Sequence, residues 1–113
     1  QQQGLADEIR RLMFVFEDLI SVDDRSIMAI LKEVEGDTLK TALRTASDES
    51  KERIFKNMSE RAAQMMKEDL EVMGPVRLKD VEAAQQIVIT TGKKLESEGK
   101  VVLSRKGKEE IFV

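Results

Sequence analysis

The chain has 113 residues, enough for one domain with a modest core. Apolar residues make up 41% of it, yet it holds four Phe and no Trp or Tyr, so the core must come from Leu, Ile, Val, Met and Ala, a palette that suits helices better than sheets. With 19 basic residues interspersed among 22 acidic ones the net charge is −3, which argues against a nucleic-acid binder and against a polybasic membrane patch.

The first element carries Leu5, Ile9, Leu12, Met13 and Phe16 at the spacing of an amphipathic helix. It runs into Met13-Phe14-Val15-Phe16, four consecutive apolar side chains that a helix would point in directions about 100° apart. One core cannot cover all four. The segment therefore reads either as a helix end in the domain's own core or as a joint that docks on a preceding domain, and its all-round projection favours the joint. Asp23 or Asp24 suits an N-cap, followed by a stripe of Ile27, Ile30, Leu31 and Val34. Gly36 suits a helix stop, and Asp37 a cap for the next stripe of Leu39, Ala42, Leu43 and Ala46. Ser47 starts a helix carrying Ile54, Phe55 and Met58, and Ser59 caps one carrying Ala62, Met66, Leu70 and Met73. Gly74-Pro75 ends it, with glycine expected in the left-handed cap and proline unable to continue.

The longest periodic stretch follows over Leu78–Glu98, with Val81, Ala84, Val88, Thr91 and Leu95 inward. Gly92 weakens it by ~1 kcal/mol relative to Ala, and Gly99 closes it. Val101-Val102-Leu103 and Ile111-Phe112-Val113 read either as two short strands or as a frayed end. These elements predict an all-α fold of about six helices in a compact armadillo-like or superhelical bundle, with a short β-like tail as an option. No clean repeat period is present.

Histidine and cysteine are both absent, which removes the commonest general base, the commonest metal ligand, every Ser-His or Cys-His pair and any disulfide. No phosphate-binding glycine motif occurs. The acidic pairs Asp23-Asp24, Glu68-Asp69 and Glu109-Glu110 read as surface charge rather than as a carboxylate site. Neither an enzyme nor a cofactor or metal is expected. No apolar run approaches the ~20 residues of a membrane span and none reads as a signal peptide, so the cytoplasm is the expected location. The start Gln1-Gln2-Gln3, without an initiator Met, reads as part of something longer.

Four ordered stretches form a signature: Met13-Phe14-Val15-Phe16-Glu17-Asp18, Asp23-Asp24-Arg25-Ser26-Ile27, Asn57-Met58-Ser59-x-Arg61-Ala62-Ala63 and Gly74-Pro75-Val76-Arg77-Leu78. From about Leu5 to Val102 the chain resembles the C-terminal part of the flagellar motor switch protein FliG family. The resemblance implies a linker helix over 1–16, ending in the hinge Met13, Phe14, Val15 and Phe16, and a helical torque domain over 17–113. It implies that the upstream armadillo and ring-anchoring domains lie outside this chain. It puts the family's torque charges on Arg44, Arg61, Glu68, Asp69 and Arg77, where relatives often have Lys at the first position and Asp-Asp at the acidic pair. Both differences keep the sign, while Arg and Lys differ in hydration and geometry. The implied partners are the cytoplasmic loop of the stator protein MotA, the rotor protein FliM and neighbouring FliG copies, at the cytoplasmic face of the inner membrane in the flagellar basal body. The implied role is to receive torque and take part in switching the rotation sense.

The residues themselves bear on this. Arg61 and Glu68 are seven apart, about 20° from alignment on one helix stripe. A partner ridge could meet them there, or they are ordinary solvated charge. Asp69 projects into the arc of Ala62, Met65, Met66 and Met73, so it needs a partner or a place at the edge of the packing. Arg77, beyond the Gly74-Pro75 turn, is one candidate partner. An exposed ion pair is worth about 0–1 kcal/mol, which suits several weak contacts that release readily. The rival reading, from another class, is a helical scaffold that binds a partner helix in an apolar groove.

Overall fold

A computed structural model describes residues 16–20 and 22–103. Its first helical stretch, α1, covers 16–20 of these, and the rest of the Met13–Phe16 segment lies outside the described residues. Then follow α2 (Asp24–Glu33), α3 (Gly36–Ala42), a 3-10 turn (Leu43–Thr45), α4 (Asp48–Lys56), α5 (Glu60–Val72) and α6 (Leu78–Ser97). The all-α expectation holds. Among the described residues there is no strand, and Val101–Leu103 run without regular structure. The second stretch of the expected β-like tail, Ile111–Val113, lies outside them. No described helix is long and apolar enough to cross a membrane.

Local chemistry sets most of the boundaries. Asp23 caps α2, with Oδ2 accepting from Ser26 N at 3.4 Å and Oδ1 from the Ser26 hydroxyl at 2.8 Å. The Ser26 hydroxyl holds the Asp23 carboxyl below its ordinary range. Ser47 caps α4 by accepting from Ser50 N at 3.1 Å, and Ser59 caps α5 by accepting from Ala62 N at 3.1 Å. In each case a side-chain oxygen satisfies one of the orphan donors of a first turn. Gly99, with φ of 78°, closes α6 as expected. Lys100 N donates to Leu95 O at 2.9 Å and Gly99 N to Glu96 O at 3.0 Å, the paired bonds of a Schellman cap.

Two expected punctuation marks differ. Gly36 opens α3 rather than stopping α2, and Glu35, not Asp37, stands at the N-cap with no side-chain bond. The chain between them turns through extended backbone at Val34 and Glu35, and this needs no left-handed residue. Gly74 likewise takes no left-handed conformation. Met73 already leaves the helix in extended geometry, and Pro75 then prevents its resumption.

The core gathers at α6, which packs chiefly against α3 and also against α2 and the 3-10 turn. Phe16, Ile20, Ile27, Ile30, Leu43, Ile54 and Val88 are fully buried. Gly92 faces inward, where a Cβ would stand 3.0 Å from Leu19 Cδ1 and 3.5 Å from Ile30 Cδ1. Its lack of a side chain lets α1 and α2 approach α6. Helix α5 lies at the periphery against α4 and α3.

A polar seam ties α4 to the start of the domain. The Glu17 carboxylate accepts from Ser47 N at 2.9 Å, the Ser47 hydroxyl at 2.7 Å and the Ser50 hydroxyl at 2.6 Å. Further along α4, Arg53 donates to Ile20 O at 3.1 Å and Val22 O at 2.8 Å, and Asn57 Nδ2 donates to Asp24 Oδ1 at 3.2 Å. Partial burial pushes the Glu17 carboxyl up, but the hydrogen bonds from Ser50 and Ser47 outweigh it and hold the group below its ordinary value.

Candidate functional site

Helix α5 turns one face to the protein and the other to solvent. Ala63 and Met66 are buried and Leu70 is half-buried, while Arg61 and Glu68 are exposed. At about 100° per residue, Arg61 and Glu68 stand nearly opposite the buried residues. The Ser59 cap fixes where the helix starts, and so fixes this face. Gln64 Nε2 donates to Glu68 Oε2 at 3.0 Å, which steadies the carboxylate without burying it.

Beside Arg61, a groove of about 690 Å3 between α4 and α5 is lined by Glu52, Phe55, Lys56, Glu60, Arg61, Ala63, Gln64 and Lys67. Five of these eight side chains are charged, so the groove does not offer the apolar trough that a scaffold for a partner helix needs. Lys67 Nζ sits 5.4 Å from the centre of the Phe55 ring, a cation–π contact across the floor.

Asp69 lies at the edge of the packing, with its side chain 54% exposed, and its ion-pair partner is Lys40 of α3 at 3.5 Å. The expected place at the edge of the packing is what the structure has, and the partner is Lys40 rather than the candidate Arg77. Asp69 thus ties α5 to α3. Lys40 was not legible as a site residue because the contact exists only once α3 and α5 are side by side. Met65, which the projection grouped with the apolar arc, is also corrected: it is exposed.

The other two expected charges lie on other elements. Arg44 is exposed on the 3-10 turn. That turn is pinned by the buried Gln85 of α6, whose Nε2 donates to Ala42 O at 3.0 Å and Thr45 Oγ1 at 3.2 Å. Arg77 is the exposed N-cap of α6, and its carbonyl accepts from Val81 N at 3.1 Å. Gly74 and Pro75 are exposed in the connection between α5 and α6. The fold thus brings Arg61 and Glu68 onto one face, turns Asp69 toward α3, and leaves Arg44 and Arg77 exposed on separate elements. Of the expected hinge, Phe16 is fully buried in the domain's own core, while Met13, Phe14 and Val15 lie outside the described residues.

Comparison with known proteins bears on what this surface belongs to. The FliG C-terminal domain family model matches residues 1–103. The flagellar motor switch protein FliG of Thermotoga maritima is 59% identical over 109 residues, covering 96% of this chain and 32% of that protein. The corresponding protein of Bacillus subtilis is 47% identical over 113 residues, covering all of this chain and 33% of its own length. The chain therefore spans about a third of the curated relatives it matches. Among solved structures, a crystallised part of FliG from H. pylori superposes with a TM-score of 0.76 at 27% identity, covering 92% of this chain and 52% of that one. Full-length FliG from Aquifex aeolicus gives 0.72 at 41% identity, covering 77% of this chain and 27% of that one. These relatives are named as motor switch proteins, not as enzymes, and by family match and identity the chain belongs to the FliG C-terminal domain family.

Proposed function

We propose that this domain is part of the rotor of the bacterial flagellar motor, and that it receives torque through the exposed charges of α5 from the cytoplasmic loop of the stator protein MotA. The observation that carries the reading is the position of Arg61 and Glu68, exposed on the side of α5 away from Ala63 and Met66. A cation and an anion about 10 Å apart along a helix can meet a complementary ridge without any part of the core having to move. Arg44, Arg77 and the outer part of Asp69 extend the charged surface to neighbouring elements. Family membership supports the motor role, since the relatives are named as flagellar motor switch proteins. FliM and neighbouring FliG copies are the further partners, the basal body at the cytoplasmic face of the inner membrane is the location, and direction switching is the associated role. In this reading residues 1–16 make the link to a preceding domain and Met13–Phe16 its joint, with Phe16 anchored in the domain's own core.

Magnitude fits the task. Exposed pairs of about 0–1 kcal/mol, screened over ~8 Å, give attachments that form and break readily at each step. The test is tethered-cell rotation with Arg61→Asp, Glu68→Arg, the double reversal, and the double reversal matched by opposite changes on the stator loop. Single reversals should slow rotation, the double more so, and the matched set should recover part of the speed, because attraction depends on the product of the signs. Exposed charge changes usually shift stability by less than ~0.5 kcal/mol, so thermal melting should be unaltered. Full speed in the unmatched double reversal would refute the charge-based reading.

A further inference from the structure

One polar side chain in the core is only half satisfied. Gln85 of α6 is 1% exposed, and its Oε1 has no hydrogen-bond partner among the described residues. A buried carbonyl without a donor costs stability, and a Met of similar length would fill the same place without that cost. Packing alone gives no reason for an amide here.

The reason lies in what the amide nitrogen holds. Nε2 donates to Ala42 O at 3.0 Å and to Thr45 Oγ1 at 3.2 Å, at the two ends of the 3-10 turn Leu43–Thr45. The Ala42 carbonyl can only accept, so turning the amide over would set oxygen against oxygen. If α3 ran on as an α-helix, Ala42 O would take its donor from Ala46 N, four residues on. Instead Ala46 N donates to Leu43 O at 3.1 Å, in the tighter 3-10 pattern. Gln85 thus supplies from α6 the donor that the tightened backbone withdraws.

The two forms of the turn send Arg44 in different directions. A 3-10 helix advances about 120° and about 2.0 Å per residue, against about 100° and about 1.5 Å in an α-helix, so over the two steps from Ala42 to Arg44 they diverge by about 40° and about 1 Å. Ala42 and Leu43 are fully buried while Arg44 is exposed, so the form of the turn decides where its side chain leaves the surface.

We propose that Gln85 is a positioning residue for Arg44: its amide selects the 3-10 form over the α-helical one and so fixes the direction of the guanidinium. The inference rests on the reading above only in taking Arg44 to share in torque.

The test has two arms. Gln85→Met keeps the length of the side chain and removes both the donor and the unpaired oxygen, so the melting temperature should stay close to the parent's. In NMR on the chain, scalar coupling across the hydrogen bond identifies the carbonyl that accepts from Ala46 N. It should move from Leu43 to Ala42 in Gln85→Met, and coupling that stays with Leu43 overturns the inference. The second arm reads stall torque in tethered cells for Gln85→Met, Arg44→Ala and the two combined, in the full-length protein. A residue that acts through Arg44 gives a loss by itself and no further loss when added to Arg44→Ala. Additive losses, or full torque in Gln85→Met beside a loss in Arg44→Ala, overturn the inference. Full torque in Arg44→Ala overturns instead the reading of Arg44 as a torque charge, and the coupling alone then decides the positioning. Should Gln85→Met fail to fold, Thr45→Val decides, because it removes one of the two acceptors at an exposed residue. The Leu43 coupling should weaken there, and an unaltered coupling overturns the inference.

Discussion

Glu17 joins three donors at the start of α4, two from its N-cap Ser47 and one from Ser50, to the first described turn of the domain. Because its pKa in the folded protein lies below the ordinary 4.5, the ionised form is the one that folding favours. Its contribution is therefore fully present above 4.5 and is lost as the pH falls through the lower folded value. Glu17→Gln should be less stable than the parent at neutral pH, and the gap should narrow steadily as melting is followed down into the acid range. A gap independent of pH would mean that the carboxylate's charge is not what holds the seam. Phe16 makes a second case at this scale. Its ring is fully buried, so Phe16→Ala should cost about 3–5 kcal/mol of stability in denaturant melts. A motility defect from that variant cannot then be assigned to a hinge. The clean probe of the proposed joint is Phe14→Ala, read by cell rotation and switching with melting as the control. The sequence alone could not separate the two phenylalanines, since periodicity tells that four consecutive apolar side chains diverge but not which of them the core receives.

At the scale of elements, the starts of helices were more legible than their ends. Asp23, Ser47 and Ser59 cap as expected because the bond is made within three residues and depends on little else. The inward stripes were legible for the same reason: Ile27, Ile30, Leu39, Leu43, Ile54, Val88 and Leu95 repeat at helical spacing and are all buried. Gly36 and Gly74 misled because glycine is permitted, not required, in a left-handed cap, and extended backbone ends both helices without it. Gly92 shows the opposite failure. Along the chain it looks like a weakness in α6, whereas in three dimensions it is where Leu19 packs. Gly92→Ala should gain ~1 kcal/mol of helix propensity and lose a comparable amount to the 3.0 Å contact, leaving the melting temperature nearly unaltered. Gly92→Leu has no such balance and should destabilise by more than about 2 kcal/mol, detectable in urea titration. A stabilised Leu variant would show that the interface is looser than these distances describe. The partner of Asp69 was out of reach of the sequence on similar grounds. Arg77 is near in sequence, but Lys40 is the residue that the packing of α3 on α5 delivers.

Across the whole molecule, burial is distributed unevenly, and the unevenness coincides with the proposed function. Helix α6 buries seven of its twenty residues, Val81, Ala84, Gln85, Val88, Ile89, Gly92 and Leu95. Helix α5 buries two of its thirteen, Ala63 and Met66. The ties that add to this burial are themselves weak: Lys40 to Asp69 at 3.5 Å between exposed or half-buried groups, and the Lys67 contact on Phe55. Local opening free energy follows buried apolar contact, so α5 should open well before α6 and the α2–α3 core do. Hydrogen exchange measured on the intact chain should find the amides of the second half of α5, after its Ser59 cap, exchanging faster than those of α6 between Ala84 and Leu95. Asp69→Asn should accelerate α5 further while leaving α6 unchanged, because the Lys40 tie reaches α5 alone. If α5 receives torque as proposed, it can be displaced under load while the core around Val88 and Ile30 stays packed. Equal protection of α5 and α6 would defeat this account, and force arriving at Arg61 and Glu68 would then have to move the domain as one rigid body.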